Sequence, residues 1–458
     1  MPTQKRLTTA NDSRTETASL VSGIRNPKRS AGATDTSRAG WFRYYAGFSA
    51  AFVEDAINQL DLKPGATLLD PWLGAGTTSE VATAMGYRFR GYDLNPAMLL
   101  VARARLLSTD TANDIAVLVK RICRTYERGV LKRKTRDKSE LNEPLEQWLQ
   151  PASACAFRIL ECAVANAVSN CSRPPARPIW KTVSQVTPIE AFLYVALFRT
   201  LRHFISKFQS SNPTWVKVSE GKSRVQLSIE RIYNRFLKEI TILQDSVNAE
   251  TRIMPSVENR RCLINRASSL KLPLSSNAVD VVLSSPPYCT RIDYVRATLP
   301  ELAVIRFPNG KSIRSLREQM IGTPTVSNGS YDHDHVWGPT CNKFLSKVRA
   351  HSSKASSTYY LKYYRQYFAS AFASLREIDR VLKNCGQCVL VIQDSYYKDI
   401  RNDLPAIYCE MSEGLGWKLS MKLDYPVKRT LAGINPKVKQ YRNVFHAIES
   451  ALIFRKMV

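Results

Sequence analysis

Four residues, Ser285-Pro286-Pro287-Tyr288, carry the sharpest chemical signal in this 458-residue chain. They follow Asp280 and the apolar run Val281-Val282-Leu283, which reads as a buried parallel strand. Two prolines cannot continue a ladder, so the strand stops there and a stiff loop begins. At the carboxyl end of a strand in an open α/β sheet, such a loop lies where ligands bind. The chemistry it suits is methylation of an exocyclic amine on a base. That nitrogen is a poor nucleophile, because its lone pair is delocalised into the ring, and it needs acceptors for its hydrogens. The Ser285 hydroxyl and the Pro286 carbonyl can supply them, and neither proline has an N–H to compete. Tyr288 is placed to stack on a base lifted out of its helix. The competing reading is a Pro-Pro turn with a core tyrosine, and residues far upstream decide between them.

An apolar strand at residues 66–69 ends in Asp70-Pro71-Trp72-Leu73-Gly74-Ala75-Gly76-Thr77-Thr78, and a helix follows. Strand, Gly-x-Gly turn and helix cradle a phosphate or a cofactor. The glycines let a ligand approach the backbone, and the helix N-terminus offers free N–H groups. Ser79 stands where a dinucleotide site has its third glycine, which argues against nicotinamide or flavin. The next strand, residues 87–92, ends at Asp93, about 20 residues past the turn, where an acid can hold ribose hydroxyls. Asp93 on its own also reads as a cap for the helix over 96–107. Turn and acid together favour a nucleoside cofactor.

The elements that must position these loops alternate as helix and strand, which means a parallel α/β sheet. A helix capped by Ser49 precedes the glycine turn, and a strand at 261–265 precedes the proline loop. A long amphipathic helix over 359–382, a strand at 388–392, and two closing strands at 417–423 and 445–454 complete the sheet. Two stretches break the alternation. Residues 109–255 read as a helical insertion, with helices at 115–126, 189–208 and 225–247. Its basic runs at 128–138 and 173–180, with Trp180 and Trp215, suit a phosphate-tracking surface or a solvated charged face. Residues 291–358 read as a long loop insertion with a turn at Gly322 and an Asp-His-Asp-His tract at 332–335. Residues 1–38 read as a disordered basic arm. The catalytic domain is thus expected in two parts, 39–108 and 256–458.

Net charge of +27, from 66 Lys+Arg against 39 Asp+Glu, favours a polyanionic partner, nucleic acid before membrane. Ten scattered cysteines include a single CxxC, Cys385 to Cys388, which reads as a structural turn rather than a zinc or redox site. No signal peptide or membrane-spanning run is legible, so a reduced, intracellular, soluble protein is expected, with no metal and no membrane partner.

The segment Asp70-Pro-Trp-Leu-Gly-Ala-Gly-Thr-Thr78, Asp93 and Ser285-Pro-Pro-Tyr288 together resemble the amino-group DNA methyltransferases that use S-adenosylmethionine. The serine form of the proline loop is most similar to the cytosine-N4 branch, where the adenine-N6 branch more often has Asp or Asn. The resemblance covers about half the chain, over 41–107, 261–290 and 359–456. It implies a Rossmann-like class I methyltransferase sheet with helices on both faces. It also implies cofactor contacts from Phe48, Asp70, Gly74, Gly76, Thr77 and Asp93, and a target site made by Ser285, Pro286, Pro287 and Tyr288. Implied partners are double-stranded DNA and a cognate restriction endonuclease, in a cytoplasmic, nucleoid-associated setting. Arg266-Ala267-Ser268 follows the third strand where the family often has an acid, so no adenine-contacting acid carries over there. Adenine N6 as the target, an RNA amine methyltransferase and a non-catalytic nucleic-acid-binding protein are the alternatives.

Overall fold

The computed structural model describes residues 23–28, 37–43, 47–132, 143–168, 178–210, 216–219, 223–249, 254, 261–326, 334–427 and 447–458. Its strands, in chain order, are Thr67–Asp70 (β1), Arg88–Asp93 (β2), Cys262–Arg266 (β3), Val279–Ser284 (β4), Leu382–Gln393 (β5), Ser395–Tyr397 (β6), Ile400–Asn402 (β7), Trp417–Val427 (β8) and Ala447–Lys456 (β9). β6 and β7 form a small hairpin, and the other seven build one sheet in the order β3-β2-β1-β4-β5-β9-β8. The strands from β3 to β5 are mutually parallel, and β9 lies antiparallel between β5 and β8. The closing strands therefore form the expected hairpin-like edge.

This is a Rossmann-like sheet with helices on both faces. Strand order reverses at β1 and β4, which pair in parallel through Leu68 with Val281 and Leu69 with Val282. The glycine loop leaves β1 and the proline loop leaves β4. Strands run about 4.8 Å apart, so two loops distant in sequence emerge side by side at the sheet's switch point.

The apolar run of β4 is continuous because both faces are covered. Val281 and Leu283 enter one core, and Val282 enters the other, as the period of two dictates. The first core also takes in the insertion helices Ile115–Lys132, Pro151–Val168, Pro188–Phe204 and Ile229–Asn248. These helices share a core with the sheet rather than enclosing one of their own. The helix Pro151–Val168 was not legible in sequence: alanine-rich and buried around much of its circumference, it shows little amphipathic contrast. The second core is closed by the long helix Leu361–Val381.

Two expectations need correction. Residues 291–358 form an insertion, but it is built of helices rather than loop: Tyr294–Ala297, Leu299–Val304, Lys311–Gln319 and Pro339–Ala350, with Val295, Leu302, Phe307, Trp337 and Phe344 buried. The first three are too short to accumulate a hydrophobic period, whereas Pro339–Ala350 buries Cys341, Phe344, Leu345 and Val348 at helical spacing, a pattern its sequence does carry. The arm assigned to residues 1–38 is anchored where it is described. Ile24 is buried, and its carbonyl accepts from the Tyr425 hydroxyl at 3.0 Å. The Arg25 guanidinium pairs with Asp55 at 2.7 Å, and buried Arg38 donates to the carbonyls of Arg105 and Leu107. The rest of the arm, the basic residues 133–138 and 173–177, Trp215 and Asp332-His333 lie outside the described residues.

Candidate active site

The glycine loop is locked from beneath by buried carboxylates. Asp70, at the end of β1, accepts from Trp72 N at 3.1 Å, from Thr78 Oγ1 at 2.8 Å and from Ser284 Oγ at 2.5 Å. It ties the loop, the helix Thr77–Ala84 and the end of β4 into one joint. Burial pushes its carboxyl up to about 6 against these hydrogen bonds. Asp70 is thus enclosed, with its oxygens engaged by the protein's own donors. Gly76 is a packing device. Its φ is +80°, and a Cβ there would sit 2.5 Å from Ala102 Cβ, so only glycine lets the two helices approach. Thr77 is buried and accepts from Arg105 at 3.2 Å, and Arg105 pairs with Glu80 at 2.7 Å in a nearly solvent-free ion pair. Phe48 is a core residue packed on Phe52.

Asp93 stands differently. It lines a cleft shared with Pro71, Trp72, Met98, Ser285, Pro287 and Tyr294. Its two oxygens accept from Gly74 N at 2.9 Å and Asn95 N at 2.8 Å, with the Leu94 N–H also directed at the carboxylate, which leaves acceptor capacity for a ligand hydroxyl. Burial raises its carboxyl to about 6. Gly74 therefore serves the site through its N–H, by fixing Asp93. The helix N-cap expected of Asp93 belongs to Asn95, whose side chain accepts from Ala97 N.

Of the proline loop, Ser285 and Pro287 line the same cleft, whereas buried Pro286 and half-buried Tyr288 do not. The Ser285 hydroxyl donates to the Val391 carbonyl of β5 at 2.9 Å. Its proton is committed, so its lone pairs are free to accept. Among the described residues no donor meets the Pro286 carbonyl. Tyr367 donates to the Pro287 carbonyl at 2.9 Å. Half-buried Tyr288 donates through its hydroxyl to Glu449 at 3.0 Å, and its N–H donates to the Tyr294 hydroxyl at 3.2 Å. Burial and the Glu449 charge hold the Tyr288 phenol well above its usual range, so it stays protonated. Gly322 presses on this loop: at φ +74°, a Cβ would lie 2.8 Å from the Tyr288 carbonyl oxygen.

The structure thus brings Asp93, Ser285 and Pro287 to one cleft and sets Phe48, Asp70, Gly76 and Thr77 behind it. Sequence reasoning missed Trp72, Met98, Tyr294 and Gln319 as walls and Glu449 as the anchor of Tyr288. Trp72 lies inside the glycine motif itself and Tyr294 is 6 residues past Tyr288, so nearness to the motifs was a signal for both. Glu449 had none. Ala267, Ser268 and Ser269 also line the cleft, so the segment after β3 enters the site with small neutral side chains.

Several arginines of the two insertions are paired within the fold, while Lys120, Arg121, Arg124, Arg128, Arg231 and Lys238 are exposed. Arg158 pairs with Glu143 and Glu161, Arg199 with Glu239, Arg202 with Glu301 and Arg306 with Glu161. Trp180 packs edge-on against Phe307, with ring centroids 5.0 Å apart. Among the described residues no group of His, Cys, Asp and Glu could hold a metal ion, and no described helix is long and apolar enough to cross a membrane.

No family model matches the chain. It is 25% identical over 311 residues to the type II methyltransferase M.BsoBI of Geobacillus stearothermophilus, a match covering 63% of this chain and 56% of that protein. The chain thus spans little more than half the length of that relative. It is 23% identical over 407 residues to the type II methyltransferase M.AvaI of Nostoc sp. and of Anabaena variabilis, covering 84% of this chain and 80% of theirs. Among solved structures, the rRNA methyltransferase AviRa of Streptomyces viridochromogenes is similar at a TM-score of 0.30 and 11% identity, over 94% of this chain and 96% of that one. A superposition that loose carries no weight here.

Proposed function

We propose that the chain is a type II DNA methyltransferase that moves a methyl group from S-adenosylmethionine to an exocyclic amine in double-stranded DNA, cytosine N4. The observation that carries the proposal is that Asp93 and Ser285 line a single cleft at the switch point of the sheet. The named activity of its relatives, M.BsoBI and M.AvaI, supports the same class, and a cognate restriction endonuclease is the partner that class implies.

The cleft fits a nucleoside cofactor. Asp93 offers two acceptor oxygens for ribose hydroxyls, Met98 and Trp72 offer apolar surface, and the small Ala267-Ser268-Ser269 segment leaves room beside them. When bound, the cofactor supplies an electrophilic methyl group, so the protein's task is to position and polarise the amine. Ser285 Oγ and the Pro286 carbonyl are two adjacent acceptors for the two amine hydrogens. Accepting them draws electron density onto the nitrogen and fixes its lone pair toward the donor. Tyr288, steadied by Glu449, stacks on the extruded base. Serine at 285 and neutral residues at 267–269 support cytosine over adenine.

The test is incubation with labelled S-adenosylmethionine and either unmethylated genomic DNA or matched RNA, followed by nucleoside identification. N4-methylcytosine from DNA is expected. N6-methyladenine would overturn the base assignment, label in RNA alone would overturn the substrate, and cofactor binding without transfer would overturn catalysis.

A further inference from the structure

Residues 288–298 join the two sides of the cleft through a continuous hydrogen-bonded path. On the donor side, Asp93 accepts from Asn95 N, and the Asn95 side chain donates to Thr298 Oγ1 at 2.8 Å. Thr298 in turn donates to the carbonyl of Tyr294 at 3.0 Å. On the acceptor side, the Tyr294 hydroxyl takes the N–H of Tyr288 at 3.2 Å. Tyr294 is also a wall of the cleft that Asp93 lines. Its short helix is fixed at its base by buried Asp293, which caps it through Arg296 N at 3.0 Å and binds Arg317 at 2.7 Å.

One side chain therefore borders the donor cavity with its ring and holds the base-stacking residue with its hydroxyl. We infer that Tyr294 is a positioning residue, through which occupancy of the cofactor cleft fixes the loop that presents the target amine. This rests on the proposed methyltransferase reading. Tyr294 touches the backbone of the target loop rather than a reacting atom, so its removal acts on turnover more than on cofactor affinity. A ligand in the cleft limits the ring's freedom, and a limited ring gives Tyr288 N a fixed acceptor. Thr298 extends the same restraint back to the strand end that carries Asp93.

The experiment compares the full-length protein with Tyr294→Phe and Thr298→Val. It measures S-adenosylhomocysteine affinity by calorimetry, and transfer from labelled S-adenosylmethionine to unmethylated genomic DNA at saturating cofactor. Phenylalanine keeps the wall and removes only the acceptor. Expected for Tyr294→Phe is a cofactor affinity within about twofold of wild type and a kcat lower by roughly three- to tenfold, the scale of one hydrogen bond. Thr298→Val, which is isosteric, should show the same split more weakly. An unchanged kcat in Tyr294→Phe, or a loss of cofactor affinity as large as the loss of kcat, would overturn the inference. Should Tyr294→Phe not fold, the same split or its absence in Thr298→Val decides. Wild-type protein that neither binds S-adenosylhomocysteine nor transfers label would overturn the proposed function itself, a result distinct from either.

Discussion

The two loops that meet at the cleft are held in opposite ways. Everything that secures the glycine loop lies between Asp70 and Arg105, apart from the Ser284 bond: buried Asp70, the Glu80–Arg105 ion pair and the Asp93 carboxylate. The proline loop is held by elements spread from Tyr294 to Glu449: the hydroxyls of Tyr294 and Tyr367, the Val391 carbonyl and Glu449 on the last strand. The first loop depends on buried carboxylates and an ion pair, and the second mainly on hydroxyl hydrogen bonds, with Glu449 its one carboxylate partner. Damage to the first should therefore appear as lost stability, and damage to the second as lost turnover in a folded protein.

The largest effect expected is from Glu80→Gln, which leaves the Arg105 guanidinium buried without its counter-ion. Breaking such a pair costs ~3–5 kcal/mol, read as a shift in denaturant midpoint. Gly76→Ala comes next, at about 2–3 kcal/mol, because the new methyl meets both Ala102 and an unfavourable positive φ. If either variant were as stable as wild type, the stability half of the contrast would fail. Tyr288→Ala should lose about 1–3 kcal/mol of base stacking, measured as a drop in transfer, with far less change in Tm than Glu80→Gln shows.

The carboxylates give the contrast a pH dependence. Asp70 and Asp93 both have their folded-state values raised from 3.8 to about 6 by burial. Their protonated forms favour the folded state, so their contribution to stability is full below 3.8 and lost as pH rises through about 6. Cofactor affinity should run the other way. If Asp93 holds the ribose hydroxyls as proposed, its anion favours binding, so affinity should fall about tenfold per unit below about pH 6, and Asp93→Asn should flatten that slope. The smallest effect is expected from Tyr367→Phe, which removes the donor to the Pro287 carbonyl. It should lower turnover by the equivalent of about 1 kcal/mol and leave cofactor affinity unchanged.

The same difference explains what the sequence could and could not reveal. β1 and β4 were legible because each is a short apolar run stopped by an acid or by proline, and β2 because it follows the glycine turn and ends in Asp93. The pairing of β1 with β4 is seen only in the structure. Asp93 and Ser285 were placed by motif. Asp70, Gly76 and Thr77 belong to the same motif but work behind the cleft, since spacing tells which residues gather and not which way their side chains turn. Glu449 was illegible for another reason: it reaches the target loop across 161 residues, and a glutamate in a strand carries no local mark of that use. Tyr294 lies only 6 residues from Tyr288, but its hydroxyl's partner is likewise unmarked in sequence. In the insertion over 291–358 the helices before residue 320 are too short to repeat a pattern, while Pro339–Ala350 does repeat one, through Cys341, Phe344, Leu345 and Val348.

The account rests on donor and acceptor facing each other across one cleft, and a structure of the protein with S-adenosylhomocysteine tests that most directly. It should show the ribose hydroxyls on the Asp93 carboxylate and the sulfur turned toward Ser285 and Pro286. A ligand bound elsewhere on the sheet, or with its sulfur turned away from Ser285, would contradict it.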